Sequence, residues 1–239
     1  MRQPLLLLCG LALGGCAWEP GQGFAVVEPT VHTAYEPLSD RAADNDYQRL
    51  ASDYQVRVES ASLRLSSIEL LASAGGGGGS NLVVTLPVGE PFNLLASEPR
   101  AVGCEPGCAL PETQVSQGRW GVQSLHFEGT VRDSRATPRF SGERRFKLDL
   151  TTADGDEPVA VLDGAVDLPS DRSTPPQAKL DLDLALTAAL FDAVDWSTLT
   201  QDGSGVVNIN GMANPEARKV LLEQLARFTP EAEVTRGNR

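Results

Sequence analysis

The sequence predicts a mainly β chain: an antiparallel β-sandwich, or a barrel-like version of one, with a C-terminal α-helix and a short helical segment before it. Three observations carry this. Apolar and polar residues alternate in segment after segment, as in RFKLDL and AKLDLDLALT, which is the period of a strand with one buried face. Turn dipeptides, Asp154-Gly155 and Asp202-Gly203, punctuate those segments. One stretch alone opens as a long helix should, at Asn214-Pro215-Glu216, with asparagine as cap and proline at the first helical position.

In chain order, residues 29–37 (PTVHTAYEP) make a first strand, with Val31, Thr33 and Tyr35 on one side. Residues 39–53 are a polar connection that includes a short helical turn. Residues 54–73 (YQVRVESASLRLSSIELLAS) give the strongest strand signal. Tyr54, Val56 and Val58 alternate with polar residues, Leu63 and Leu65 take the opposite parity, and Ile68 and Leu70 switch back. Parity slips at Ser60–Ser62 and Ser66–Ser67 require consecutive strands or a bulged one. The Gly75–Ser80 run (GGGGGS) is hairpin slack and not a phosphate loop, because no Lys-Ser/Thr follows and its flanks are strand-like.

NLVVTLPV follows as a strand and residues 91–95 as a short partner. Beyond residue 108, GRWGVQSLHFEGTVRD, RFSGERRFKLDL, EPVAVLDGAVDL, AKLDLDLALT and GVVNIN each read as strands. Alternation breaks over Thr187–Leu199, a short helix or irregular turn. The final helix spans 215–228 and buries Val220, Leu221, Leu225 and Phe228. Thr229-Pro230 stops it, and the tail 230–239 is expected to fray. A single domain over residues 24–229 results.

The N-terminus is of another kind. Arg2 precedes an apolar run from Leu5 to Leu13, the layout of a secretory signal. As a helix, Leu5 to Gly15 would reach about 16 Å, short of the roughly 30 Å of a bilayer core, so it is a processing segment. Its end, Leu13-Gly14-Gly15-Cys16, resembles the lipobox of bacterial lipoprotein precursors. The resemblance covers residues 1–16. It implies cleavage after Gly15, a diacylglyceryl thioether on Cys16, acylation of the new amine, and residues 16–23 as a tether. Ala17, in the absence of an aspartate there, resembles lipoproteins forwarded to the outer membrane. An ordinary secretory signal cut after Ala17 is the competing reading, and it leaves Cys16 without a role. Cys9 lies inside the apolar run and is discarded with it.

Formal net charge is −12, and removal of Arg2 with the signal makes it more negative. That disfavours nucleic-acid binding and a polybasic attachment to anionic lipid. Outside the signal and the lipobox, two cysteines remain, in Cys104-Glu105-Pro106-Gly107-Cys108. In an oxidising compartment, a pair spanning a Pro-Gly turn most simply forms a disulfide.

Candidate chemistry is sparse. Asp154, Asp156 and Glu157 crowd three carboxylates into one turn, a weak calcium site, although the spaced D-x-[DN]-x-[DN]-G loop is missing there. His126, in SLHFEGT, is a weak metal candidate, and with an acid and a serine it would suit a hydrolase, yet no G-x-S-x-G motif occurs. His32 is a surface histidine by the same logic. The first expectation is therefore a non-enzymatic, lipid-anchored envelope module that binds or scaffolds an envelope protein or polymer, with no catalytic set and no cofactor. The second is a copper- or calcium-handling accessory built on Cys104 and Cys108 with His32, His126 or the acids. An envelope hydrolase comes third.

Overall fold

The two parity slips in residues 54–73 fall within one strand. The computed structural model describes residues 25–73, 79–96, 98–111, 113–152, 157–168 and 177–236, and in it Tyr54–Ser73 forms a single strand. Its register against the neighbouring strand shifts at Val58/Ser60 and again around Leu65, where the serines stand. The bulges return Ala61, Leu63, Leu65, Ile68 and Leu70 to the interior, so the chain keeps an apolar face along its whole length.

In chain order the strands are β1 (Ala25–Tyr35), β2 (Gln48–Arg49), β3 (Tyr54–Ser73), β4 (Ser80–Pro87), β5 (Phe92–Asn93), β6 (Arg100–Ala101), β7 (Ala109–Leu110), β8 (Val115–Asp133), β9 (Glu143–Thr151), β10 (Ala160–Leu168), β11 (Gln177–Leu186), β12 (Val206–Ile209) and, after helix α1 (Pro215–Leu225), β13 (Glu231–Arg236). They form two sheets. One is ordered β13-β11-β1-β6, with β7 also on β1; the other is β12-β9-β8-β3-β2, with β10 on β8 and β4 and β5 on β3. The fold is a mainly β, sandwich-like domain with a C-terminal helix, as the alternation requires. Its sheets are mixed, because β1 pairs with β11, and β12 with β9, in parallel. Neither parallel pair is joined by a hairpin, so no tight turn imposes the antiparallel sense.

The inner faces meet in one core. Leu180, Leu182, Leu184 and Leu186 of β11 and Val27 and Val31 of β1 belong to the same buried cluster as Leu63, Trp120, Leu125, Phe127, Phe146 and Leu148 of the larger sheet. Each side chain of that size contributes about 1.5–3 kcal/mol on full burial. Gly129 is obligatory here, since a Cβ would lie 2.1 Å from Arg57 O on the adjacent strand.

The short helical segment expected over 187–199 is a 3-10 turn at Ala188–Phe191, entered through Thr187, whose Oγ1 accepts from Ala189 N. Three other expectations at the C-terminal end need correction. The helix ends at Leu225, not 228, and buries Ala217, Leu221 and Leu225. Asn214 makes no capping bond to it; in a left-handed conformation, it accepts from Thr200 N and donates to Asn208 O and Thr200 O, tying the preceding loop to β12. Residues 231–236 of the tail do not fray: they pair with β11, and partly buried Ala232 and Val234 pack on the core while Glu231 and Glu233 remain exposed; residues 237–239 lie outside the described residues. The domain therefore extends to Arg236. Among the described residues no helix is long and apolar enough to cross a membrane.

Candidate functional site

Cys16, Asp154 and Asp156 lie outside the described residues. Glu157 is exposed, and its backbone carbonyl accepts from Thr152 Oγ1 at 3.0 Å. Cys104 and Cys108 form the expected disulfide, with Cα atoms 5.0 Å apart. Their sulfurs are bonded to each other, which removes the thiolates that a copper site at this loop requires. Among the described residues no group of three His, Cys, Asp or Glu side chains is placed to hold a metal ion.

The two histidines sit on different sheets. His32 Nδ1 is 3.0 Å from Asp183 Oδ1, and His126 Nδ1 is 3.4 Å from Asp149 Oδ1. His126 is also the register partner of Ser62 on β3, so serine, histidine and aspartate occupy one cross-strand row. That row lies on a solvated face, with His126 44% and Asp149 51% exposed. Among the described residues no hydrogen bond joins Ser62 to His126.

Several irregular features meet instead at the C-terminal end of β1. A half-open cleft of about 570 Å³ is lined by Tyr35, by Pro37 to Ser39, by Ala42 and Ala43, by Asp46 to Gln48, by Val58 and by Leu95. Its volume falls in the range of small-molecule sites. The tight pairing of Tyr35 N with Leu94 O at 2.8 Å sets Leu95 at the wall, where it is 44% exposed. Gln48 is buried and accepts from Leu38 N at 2.8 Å, which folds the connection across the end of the sandwich. Arg41 anchors that connection from outside, reaching both carboxylate oxygens of Asp192 at 2.7 and 2.8 Å.

Two of these features carry an energetic cost. Asn45 and Asp46 are consecutive non-glycine residues with φ of 55° and 61°, the left-handed region that side chains disfavour. Such positions cost on the order of 1–3 kcal/mol each and persist where the surroundings hold them. The Tyr35 hydroxyl is enclosed and has no hydrogen-bond partner among the described residues. Its burial raises its pKa above the ordinary tyrosine range, so it remains protonated.

Asp46 is the one charged residue in the lining. Tyr47 is fully buried, with the guanidinium groups of Arg132 and Arg57 at 4.1 and 5.2 Å from its ring centre, each paired with a carboxylate, Asp44 and Glu59 respectively. Tyr47 is fixed further by its hydroxyl, 2.8 Å from Thr130 Oγ1.

Sequence reasoning missed this site. Residues 39–53 look polar throughout, and only Tyr47 stands out as a large side chain that such a connection must bury. Tyr35 reads as part of the first strand, and nothing in the local pattern shows that its hydroxyl ends without a partner. Compared with protein-family models, with curated proteins and with solved structures, the chain matches none.

Proposed function

We propose that the chain is a lipid-anchored envelope protein whose sandwich binds a ligand or partner at the C-terminal end of β1 and does no chemistry on it. The observation that carries the binding half is the cleft lined by Pro37, Leu38, Val58 and Leu95, with Asp46 of the left-handed pair in its lining. The anchoring half is supported by Leu13-Gly14-Gly15-Cys16 at the end of the apolar run. The two halves suit each other geometrically. β1 begins at Ala25 and ends at Tyr35, so the strand itself sets the cleft about 33 Å from the end that follows the tether. Two or three acyl chains give stable attachment where one is marginal, which leaves the far end facing the envelope space. Ala17 after the cysteine supports the outer membrane as the destination.

Replacing Cys16 with Ser tests the anchor. The variant should lose its lipid label and move from the membrane to the soluble fraction. A variant that still carries lipid and sediments with membranes overturns the reading.

A further inference from the structure

We infer that the outer edge of β4, over residues 80–84, pairs with the same edge of a second copy of this chain, antiparallel about a two-fold axis at Leu82.

The edge is open. β4 pairs with β3 on one side, and on the other only Thr85 has a backbone partner among the described residues, exchanging two hydrogen bonds with Glu105. From Ser80 to Val84 that side has none, and an unpaired edge is a template for another strand. Leu82 stands 58% exposed there, between exposed Asn81 and half-buried Val83.

The edge is also unguarded. From Leu70 to Gly89 the sequence carries no charged side chain, the longest such stretch in the chain. The other sheet ends are protected, by Glu231 and Glu233 on β13, Arg100 on β6 and Arg49 on β2, while on β12 the Asn208 carbonyl already accepts from Asn214 Nδ2.

Charge selects the occupant. Copies of a chain with net charge −12 repel wherever their carboxylates approach. Antiparallel pairing about a two-fold axis sets like residues opposite like, so a charged edge such as β13 opposes itself and an uncharged one does not. The unpaired stretch is centred on Leu82, which places Leu82 opposite its counterpart in the second copy and makes an apolar cross-strand pair of two exposed side chains.

The position suits two anchored copies. Thr85 and Glu105 pair antiparallel, so the stretch before Thr85 runs beside the chain leading to Leu110, which pairs with Ala25 at the start of β1. A two-fold axis at Leu82 therefore keeps both β1 starts near it. The contact is one strand wide, smaller than a permanent interface, so the dimer depends on concentration.

The test uses the full-length protein extracted in detergent. Sedimentation equilibrium over a concentration series should show a monomer–dimer equilibrium. Leu82→Lys and Leu82→Glu should each weaken dimerisation by about tenfold or more, and an equimolar mixture of the two should restore it, because opposite charges then face each other. Circular dichroism confirms that each variant is folded. Independently of those variants, Leu82→Cys should cross-link to a dimer under copper phenanthroline, whereas Met212→Cys, at a position 95% exposed before α1, should not.

A monomer at every concentration overturns the inference. A dimer indifferent to charge at residue 82 places the contact elsewhere and overturns it too, as does a mixture that fails to restore what each variant loses. Equal cross-linking at residues 82 and 212 reduces the dimer to random collision. In whole envelopes, a Leu82→Cys adduct with a different protein in place of the dimer overturns the choice of a second copy.

Discussion

Tyr54, at the head of β3, donates its hydroxyl to Asp195 Oδ1 at 2.7 Å, joining residues 141 apart in the sequence. The same carboxylate accepts from Ser197 N and Ser197 Oγ and pairs with Arg139 at 3.2 Å, while Phe140 stacks on the Tyr54 ring at 5.9 Å. One residue thus ties the loop after β8 and the segment before β12 to the same end of the sandwich. The Tyr54 hydrogen bond, followed by those from Ser197, holds the Asp195 carboxyl below the ordinary carboxylate range against the opposing effect of burial.

Because that value is depressed in the folded state, the ionised carboxylate stabilises the fold above the unfolded pKa, near 3.9, and the contribution is lost as pH falls through the lower folded value. Tyr54→Phe should therefore cost about 1 kcal/mol at pH 7, allowing for the exposure of Asp195. Its deficit should shrink below about pH 4. Urea midpoints of both proteins at pH 7 and pH 3 decide it, and an equal deficit at the two pH values contradicts the linkage.

The exposed face of β11 and β13 sets like charges opposite each other: Asp181 is the register partner of Glu233, and Asp183 of Glu231. Such pairs are destabilising, though they guard an edge strand against pairing with another chain. Glu233→Arg should raise stability by a few tenths to about 1 kcal/mol, and the gain should diminish in high salt. No change in thermal midpoint at low ionic strength would show that solvent already screens the pair.

Gly164 of β10 lies under the segment leading into β13, where an added Cβ would fall 2.5 Å from Pro230 O. Gly164→Ala should cost about 1–3 kcal/mol by pushing that segment away, and hydrogen exchange should locate the loss in residues 231–236. Gly203→Ala, with open space around the added atom, is the control and should change stability by no more than about 0.5 kcal/mol.

Much of this architecture was legible because alternation is a local record of burial. Leu180 to Leu186 and Phe146 to Leu150 show their inner faces in sequence and bury the same residues in the structure. β13 escaped because the proline that ends a helix also permits a strand to begin; EAEVTR alternates, yet a short acidic terminal stretch resembles a frayed end. Partner identity is not local at all, so the parallel pairing of β1 with β11 had no signature. The cleft was hidden for a related reason. Its residues come from β1, the connection after it, β3 and the loop after β5, and no spacing rule links them.

The CEPGC ring makes the sharpest local prediction. Glu105 exchanges two backbone hydrogen bonds with Thr85 of β4, at 2.7 and 3.0 Å, and Cys108 O accepts from Val27 N of β1 at 2.9 Å. A five-residue ring therefore touches both sheets, one through each side, and closes part of the seam between them. A loop this short restricts the unfolded chain little, so reduction should lower global stability by no more than about 2 kcal/mol and leave the sandwich folded. The local effect should be larger, because the ring holds Glu105 and Cys108 at the spacing that lets each reach its own sheet. Amide exchange at Val27, Thr85 and Glu105 should accelerate on treatment with dithiothreitol, whereas Leu125 and Leu182 in the core should retain their protection. Cys104→Ser/Cys108→Ser should reproduce the pattern without reductant. Unchanged protection at the seam amides in both experiments would mean that the neighbouring strands hold this loop without the bridge, and collapse of core protection would mean that the bridge supports the whole fold.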